Sequence, residues 1–284
     1  MTDRLDRPHD QIKLFEQISN RCFEARQSIL RAIVTARSGH VGGSFSAVEI
    51  LTVLATITGR FDQTPSGQII LSKGHGCPAL YAVLAFSGAI SKQSFEQHYR
   101  RIGYPFKGHP DLDAIPETGF NSNSLGLGVA AAVGYALGYR LKRSKERVYV
   151  VVGDGEYREG IVQEALMFAA EQGLGNLVVI VDNNHIQMSE TTDIIWLRPD
   201  TIGYGSPLVA VQFCDGHSIP ALYRTFTQLA DDRLNLIICE TIKGAGISRY
   251  EGDLRFHGSA PSPTELEQGL DELRRRRTEN LNER

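Results

Sequence analysis

Cysteine is scarce. The chain of 284 residues has four, Cys22, Cys77, Cys214 and Cys239, and no two form a C-x-x-C pair. That spacing carries no zinc or iron–sulfur signature. Four scattered thiols fit a reducing compartment better than a disulfide framework. Long apolar runs are also missing: no stretch approaches the roughly 20 residues that a membrane-spanning helix needs. The opening, MTDRLDRPHD, is charged and lacks the apolar centre of a secretory leader. These absences predict a cytoplasmic protein. A large surplus of one charge is lacking too. The formal net charge is -3, which indicates neither nucleic acid nor an anionic membrane as a general partner. The one concentrated basic run, Arg274 to Arg277, reads as the solvated end of a helix.

What is present is an alternation of helix-type and strand-type segments. From about Gln11 to Ala36, Ile12, Phe15, Ile18, Cys22, Ile29 and Ile33 recur at helical spacing. The glycine-rich R-S-G-H-V-G-G-S-F follows, then an apolar helix from about Ser46 to Thr58. A short strand, Gln68 to Leu71, leads through S-K-G-H-G into a helix from about Pro78 to Phe86. Gly103 to Asn123 contains three prolines and reads as loop. A small-residue helix runs from about Ser124 to Leu141. Then R-V-Y-V-V-V makes a strand, followed by G-D-G, a helix from about Glu159 to Gln172, and the strand N-L-V-V-I-V-D. Val209 to Phe213, Ile219 to Leu229 and Leu234 to Cys239 repeat that rhythm, and a capped helix starts near Ser262. The pattern predicts one α/β domain over residues 1–284. Its core should be a Rossmann-like, doubly wound, mostly parallel sheet of about six strands with helices on both faces.

The chemistry concentrates after the strand ending at Val152. Gly153 to Gly155 reads G-D-G, and thirty positions beyond Asp154 stands Asn184, just past the next strand. In a parallel sheet both positions lie beyond the carboxyl ends of strands, where ligands bind. A carboxylate and an amide oxygen are hard ligands suited to Mg²⁺ or Ca²⁺. Two such ligands leave coordination positions for phosphate oxygens and water, and the glycines let backbone N–H groups approach a phosphate. A nicotinamide-type Rossmann fingerprint fits poorly, because G-D-G-E-Y-R lacks its third glycine.

The stretch GDGEYREGIVQEALMFAAEQGLGNLVVIVDNN resembles the thiamine diphosphate signature of transketolases. The resemblance extends over nearly the whole chain, through SGHVGGSFSAVEIL, LSKGHGCPALYAVLAFSG, KGHPDLD, SLGLGVAAAVGYALG, DGHSIPAL and TIKGAGISRYEGDLRFHG, in the family's order. It implies a transferase that moves a two-carbon ketol unit from a ketose phosphate to an aldehyde acceptor, using thiamine diphosphate and a divalent metal. The match ends where the first domain of a full-length transketolase ends. The family pattern therefore implies a split enzyme whose pyrimidine-binding and C-terminal domains lie on a separate partner chain, as an α2β2 assembly.

Carried over by resemblance, Asp154, Asn184 and the carbonyl of Ile186 would hold the metal. Gly155 N–H, His75 and Lys243 would meet the cofactor's diphosphate, with His257 able to touch it as well; Gly153 and Glu156 would also bind the cofactor, and Ser124 and Leu125 would line its ring region. His40, His75, His109 and His257 would be catalytic, with His40, His109 and His257 facing substrate. Imidazole exchanges protons near neutral pH, as ketol transfer demands. Glu159 would sit at the interface and relay to the partner's glutamate; at the start of a helix it also suits the macrodipole.

The chain departs from the family pattern at several points. Asn123 and Leu127 replace a glycine and a glutamine, and Asn123 is tolerable because asparagine adopts left-handed backbone. Met188–Ser189–Glu190 replaces a common Asp-Gly, Ser259 a lysine found in some members, and Ile195 to Leu208, with Gly203, Gly205 and Pro207, matches least. Such departures suit an unusual substrate or a specialised pathway. Two further readings compete: another thiamine diphosphate enzyme component, either a synthase joining a 2-oxo acid to an aldehyde or an acyl-transferring dehydrogenase part, and a non-catalytic regulatory subunit. His109 and His257 favour the ketol-transferring reading, and intact Asp154, Asn184 and His75 disfavour the regulatory one.

Overall fold

The computed structural model describes residues 8–60, 67–187, 190–191 and 206–282. Met188, Ser189 and residues 195–205, where the sequence departs from the family pattern, lie outside the described residues.

Helix α1 (Pro8–Ala36) runs 29 residues. Its apolar positions Ile18, Cys22, Ile29 and Ile33 are buried, but Ile12 is exposed, because the first turns extend past the core. The glycine-rich stretch expected as loop contains a short helix, α2 (Val41–Phe45), and the apolar segment behind it forms α3 (Val48–Ile57). Nearly all of α3 is buried, as its apolar circumference requires. Strand β1 (Gln68–Leu71), a 3₁₀ turn at Gly74–Gly76 and α4 (Cys77–Phe86) follow. Next comes α5 (Lys92–His98), a helix that the periodicity of the sequence does not announce. The hydroxyl of Ser91 caps it by accepting from Ser94 N–H at 3.2 Å.

The second half builds the sheet. Helix α6 (Leu127–Leu141) leads to β2 (Val148–Gly153). The G-D-G motif is not a plain turn: Gly153 ends β2, and Asp154 opens a single helical turn, α7 (Asp154–Tyr157). Helix α8 (Gly160–Glu171) and strand β3 (Leu177–Asn183) follow, then a small ribbon of β4 (Ile186–Gln187) and β5 (Glu190–Thr191). Strand β6 (Val209–Asp215), α9 (Ile219–Thr227), β7 (Leu234–Glu240) and α10 (Pro263–Asn282) complete the order.

Five strands pair in the main sheet, in the order β1-β2-β3-β7-β6, and every pairing is parallel. Among the described residues the count is five where about six were expected, and β4–β5 forms a separate antiparallel ribbon. Strand side chains alternate between two cores. Ile69, Leu71, Tyr149, Val151, Val178 and Ile180 face α1, α3, α4 and α9. Ile70, Val148, Val150, Val152, Val179 and Val181 face α6 and α8. The arrangement is doubly wound, as the alternating pattern predicts. Among the described residues no helix is long and apolar enough to cross a membrane.

A buried ion pair fastens α1 to α3. The Arg26 guanidinium donates to both Glu49 oxygens, at 2.5 and 2.8 Å, and also to the carbonyls of Phe45 and Ala245. His217 Nδ1 lies 3.2 Å from Glu49 Oε2. Burial alone would push the Glu49 carboxyl up, but Arg26 and His217 outweigh it and hold the pKa at about 2. Removing Arg26 would strand a carboxylate in the core. Arg26→Ala should therefore cost about 3–5 kcal/mol in urea unfolding, whereas Arg274→Ala, on the exposed surface, should cost well under 1 kcal/mol.

Candidate active site

Parallel strands end together. Leu71 is in register with Val151, Gly153 with Asp182, and Asn183 with Glu240. The segments that leave the sheet at Ser72, Asp154, Asn184 and Thr241 therefore emerge along one rim. Helix α2 is pressed against that rim, and glycine makes the approach possible. A Cβ on Gly42 would lie 2.9 Å from Lys243 Cγ, and one on Gly74 would lie 2.0 Å from the Ser122 carbonyl oxygen.

Beneath the rim is a second buried ion pair. Lys73 Nζ contacts Asp182 Oδ2, and both side chains are excluded from solvent. Ser46 donates to Oδ2 at 2.7 Å and Thr241 to Oδ1 at 2.5 Å. Burial would raise the Asp182 pKa, but Lys73 and the two hydroxyls more than reverse it.

Above this pair lie three imidazoles. His40 is 5.2 Å from His75 and 5.5 Å from His257 between ring centroids, and His75 is 5.6 Å from His257. Lys243 joins them: its Nζ is 2.7 Å from His257 Nδ1 and donates to the Ile186 carbonyl at 2.9 Å. Burial, then neighbouring positive charge, drives every titration here toward the neutral form. Burial and Arg100 lower His40 to about 4, burial and Lys243 lower His257 to about 4, and burial and Lys73 hold His75 well below its ordinary value. Burial and Lys73 lower Lys243 to about 8. The pocket is a site of suppressed positive charge, the environment that an anion relieves. His109 borders it: its Cδ2 would lie 2.9 Å from a Cβ on Gly74. Burial and Arg100 lower its pKa as well.

The expected metal-side residues come together. Asp154 and Asn184 are both buried, on adjacent segments past β2 and β3. Gly155 N–H donates to Asp154 Oδ1 at 2.8 Å, and Ile186 N–H to Asn184 Oδ1 at 3.3 Å. The described residues contain no group of three His, Cys, Asp or Glu that could hold a metal ion. The donor set is one carboxylate, one amide and one carbonyl, which suits a hard cation that takes its remaining oxygens from a ligand. The Lys243 ammonium already sits on the Ile186 carbonyl, and the charges of Asp154 and Asp182 offset part of the lowering that burial and Lys73 impose on it.

Other expected site residues lie farther out. Glu156 points inward: its carboxylate accepts from Ser72 Oγ at 2.6 Å, Gly126 N–H at 2.8 Å and Gly153 N–H at 3.1 Å. It ties the loops after β1 and β2 to the start of α6. Burial raises its pKa despite those donors. Glu159 occupies the residue before α8, and its Cβ lies 3.6 Å from where a Gly126 Cβ would stand. Ser124 and Leu125 are exposed on the loop before α6. Sequence reasoning missed Lys73, Asp182, Ser46, Thr241 and Arg100. One signal was present: a lysine in S-K-G-H-G and an aspartate closing an apolar strand mark charges delivered to a buried rim. Arg100 carried no such signal. Its guanidinium donates to Ser38 Oγ at 2.6 Å and lies 3.5 Å from His40 Nδ1.

A family model described as "Transketolase, thiamine diphosphate binding domain" matches residues 20–275. The chain is 33% identical over 270 residues to an apulose-4-phosphate transketolase subunit of Actinobacillus succinogenes, covering 92% of this chain and 97% of that one. It is 35% identical over 279 residues to the transketolase of Homo sapiens, covering 93% of this chain but 43% of the human one. A transketolase structure from Campylobacter jejuni superposes with a TM-score of 0.77 at 22% identity, over 90% of this chain and 42% of that one, and so shares the fold. The chain belongs to the transketolase family, through its thiamine diphosphate binding domain.

Proposed function

We propose that this chain is the diphosphate-binding subunit of a two-component transketolase that moves a two-carbon ketol unit from a phosphorylated ketose to an aldose or aldehyde. The observation that carries the proposal is the pocket of suppressed positive charge formed by Lys243, His75 and His257 at the strand ends. The alignment along nearly the whole of the Actinobacillus succinogenes subunit supports a separate partner chain, with α2β2 as the proposed assembly and the cytoplasm as its setting.

In this reading Asp154, Asn184 and the Ile186 carbonyl hold Mg²⁺ or Ca²⁺, and Gly153, Gly155, His75, Lys243 and His257 meet the diphosphate. Glu156 supports that loop from beneath, while Ser124 and Leu125 flank the ring region. Thiamine diphosphate, when bound, supplies a stabilised carbanion able to make and break bonds beside a carbonyl. The chain's own part is positioning and proton traffic. Lys243 Nζ lies 2.7 Å from His257 Nδ1, and in its protonated form it would donate there and leave the His257 proton on Nε2. Neutral imidazoles at His40, His109 and His257 can hydrogen-bond substrate hydroxyls in either direction. Glu159 lies near the start of α6, which packs against α8, and Leu127 and Tyr135 of α6 and Met167 and Phe168 of α8 are exposed. We assign these exposed apolar side chains to the partner face.

Calorimetric titration of the chain with thiamine diphosphate and Mg²⁺ tests the reading directly. An anion favours the protonated forms of Lys243 and the histidines, so binding should take up protons. Above pH 8 the free site has lost the Lys243 proton, and affinity should fall by about tenfold per pH unit. A pH-independent affinity from pH 7 to 10 would contradict this assignment of Lys243. Lys243→Met removes a charged hydrogen bond and should weaken binding roughly ten- to hundredfold. Asp154→Ala should leave the fold intact by circular dichroism yet abolish the gain in affinity that Mg²⁺ brings. An unchanged Mg²⁺ dependence in that variant would place the metal elsewhere.

A further inference from the structure

Two of the four thiols adjoin each other, away from the imidazole cluster. Cys214 on β6 and Cys239 on β7 are register partners, with their sulfurs 3.6 Å apart. Directly opposed residues of parallel neighbours point to the same face, here the one covered by α9. Adjacent strands lie about 4.8 Å apart, within the Cα separation that a disulfide spans, so the sulfurs need close by only about 1.5 Å. Among the described residues β6 is the edge of the sheet, and Cys214 is partly exposed while Cys239 is buried.

We propose that Cys214 and Cys239 form a reversible intrachain disulfide by exchange with a low-molecular-weight disulfide. The Cys214 thiolate attacks one sulfur of the external disulfide, forming a mixed disulfide and expelling one thiolate, which takes up the proton that Cys214 lost. The Cys239 sulfur then attacks Cys214 Sγ and expels the second external thiolate, which takes up the Cys239 proton. Two protein thiols are oxidised, and one external disulfide is reduced to two thiols. The order follows from access and from the hydrogen bond between the sulfurs. The bond from Cys239 lowers the Cys214 pKa, with help from Thr225, while burial pushes Cys239 up. Cys214 is thus the attacking sulfur and Cys239 the resolving one.

The bond would form close to the catalytic rim. Cys239 is in register with Asp182, and Thr241, two residues on, donates to the Asp182 carboxylate that holds Lys73. Cys22 and Cys77 are buried, with burial raising the pKa of each, and neither has a sulfur partner among the described residues. They serve as internal controls. The inference is independent of the proposed function, and its test needs no activity.

The full chain is incubated with excess oxidised glutathione, alkylated, digested and mapped by mass spectrometry. The expected product joins the Cys214 peptide to the Cys239 peptide, leaves Cys22 and Cys77 alkylatable after unfolding, and reverts with dithiothreitol. Cys214→Ser should abolish the link, and Cys239→Ala should stop the reaction at a glutathione adduct on Cys214. Three results would overturn the proposal: four thiols still free, a wild-type chain that accumulates only the glutathione adduct, or a link involving Cys22 or Cys77.

Discussion

The rim of this sheet is organised by one buried contact, the pair of Lys73 and Asp182. Lys73 follows β1 and Asp182 lies near the end of β3, so the contact spans β2 and the 109 positions between the two residues. Ser46, between α2 and α3, and Thr241, after β7, complete the shell around the carboxylate. Four segments distant in sequence meet at one carboxyl group. Dehydrating two charges costs several kcal/mol per ion and is offset only when pairing and hydrogen bonds are nearly complete. Any displacement of these segments would expose that cost, so the contact fixes their relative positions.

That fixed arrangement sets the electrostatics above it. Asp182 neutralises Lys73, but Lys243 has no carboxylate within ion-pair reach among the described residues, and it leans on a carbonyl and an imidazole instead. The three clustered histidines are then held neutral by burial and by their cationic neighbours. Among the described residues Lys243 is a cation of this pocket without a counter-charge, which suits it to an anion, and helix α2 packs closely on the rim at Gly42. In the proposed function, affinity for a diphosphate and acid–base competence for hydroxyl chemistry would come from the same deficit.

Much of this was legible in the sequence, for identifiable reasons. The strands at Gln68–Leu71, Val148–Gly153, Leu177–Asn183 and Leu234–Glu240 are apolar runs with turn residues beyond them, so their existence and near-complete extents were readable. Helix α2 was not, because Gly42 and Gly43 argue against a helix and are there for close approach. Helix α5 is short and polar, with Phe95 its buried residue, and so gives almost no periodic signal. At the site, Asp154, Asn184 and the histidines were marked by motif and position. The Lys73–Asp182 pair was hidden because its partners meet only once the strand order is known. Glu156 was placed with the cofactor by its motif, whereas its carboxylate faces three donors inside the protein.

The alignment with the human transketolase covers 43% of that chain, whereas the Actinobacillus succinogenes subunit is covered almost end to end. The central claim is that this pocket is one side of an active site closed by a second polypeptide. Native mass spectrometry of the chain, purified gently from its own host, tests it most directly. The account predicts a complex of two copies of this chain with two copies of a partner, carrying thiamine diphosphate and a divalent metal. A homo-oligomer that holds neither partner nor cofactor, even after both thiamine diphosphate and Mg²⁺ are added, would contradict it.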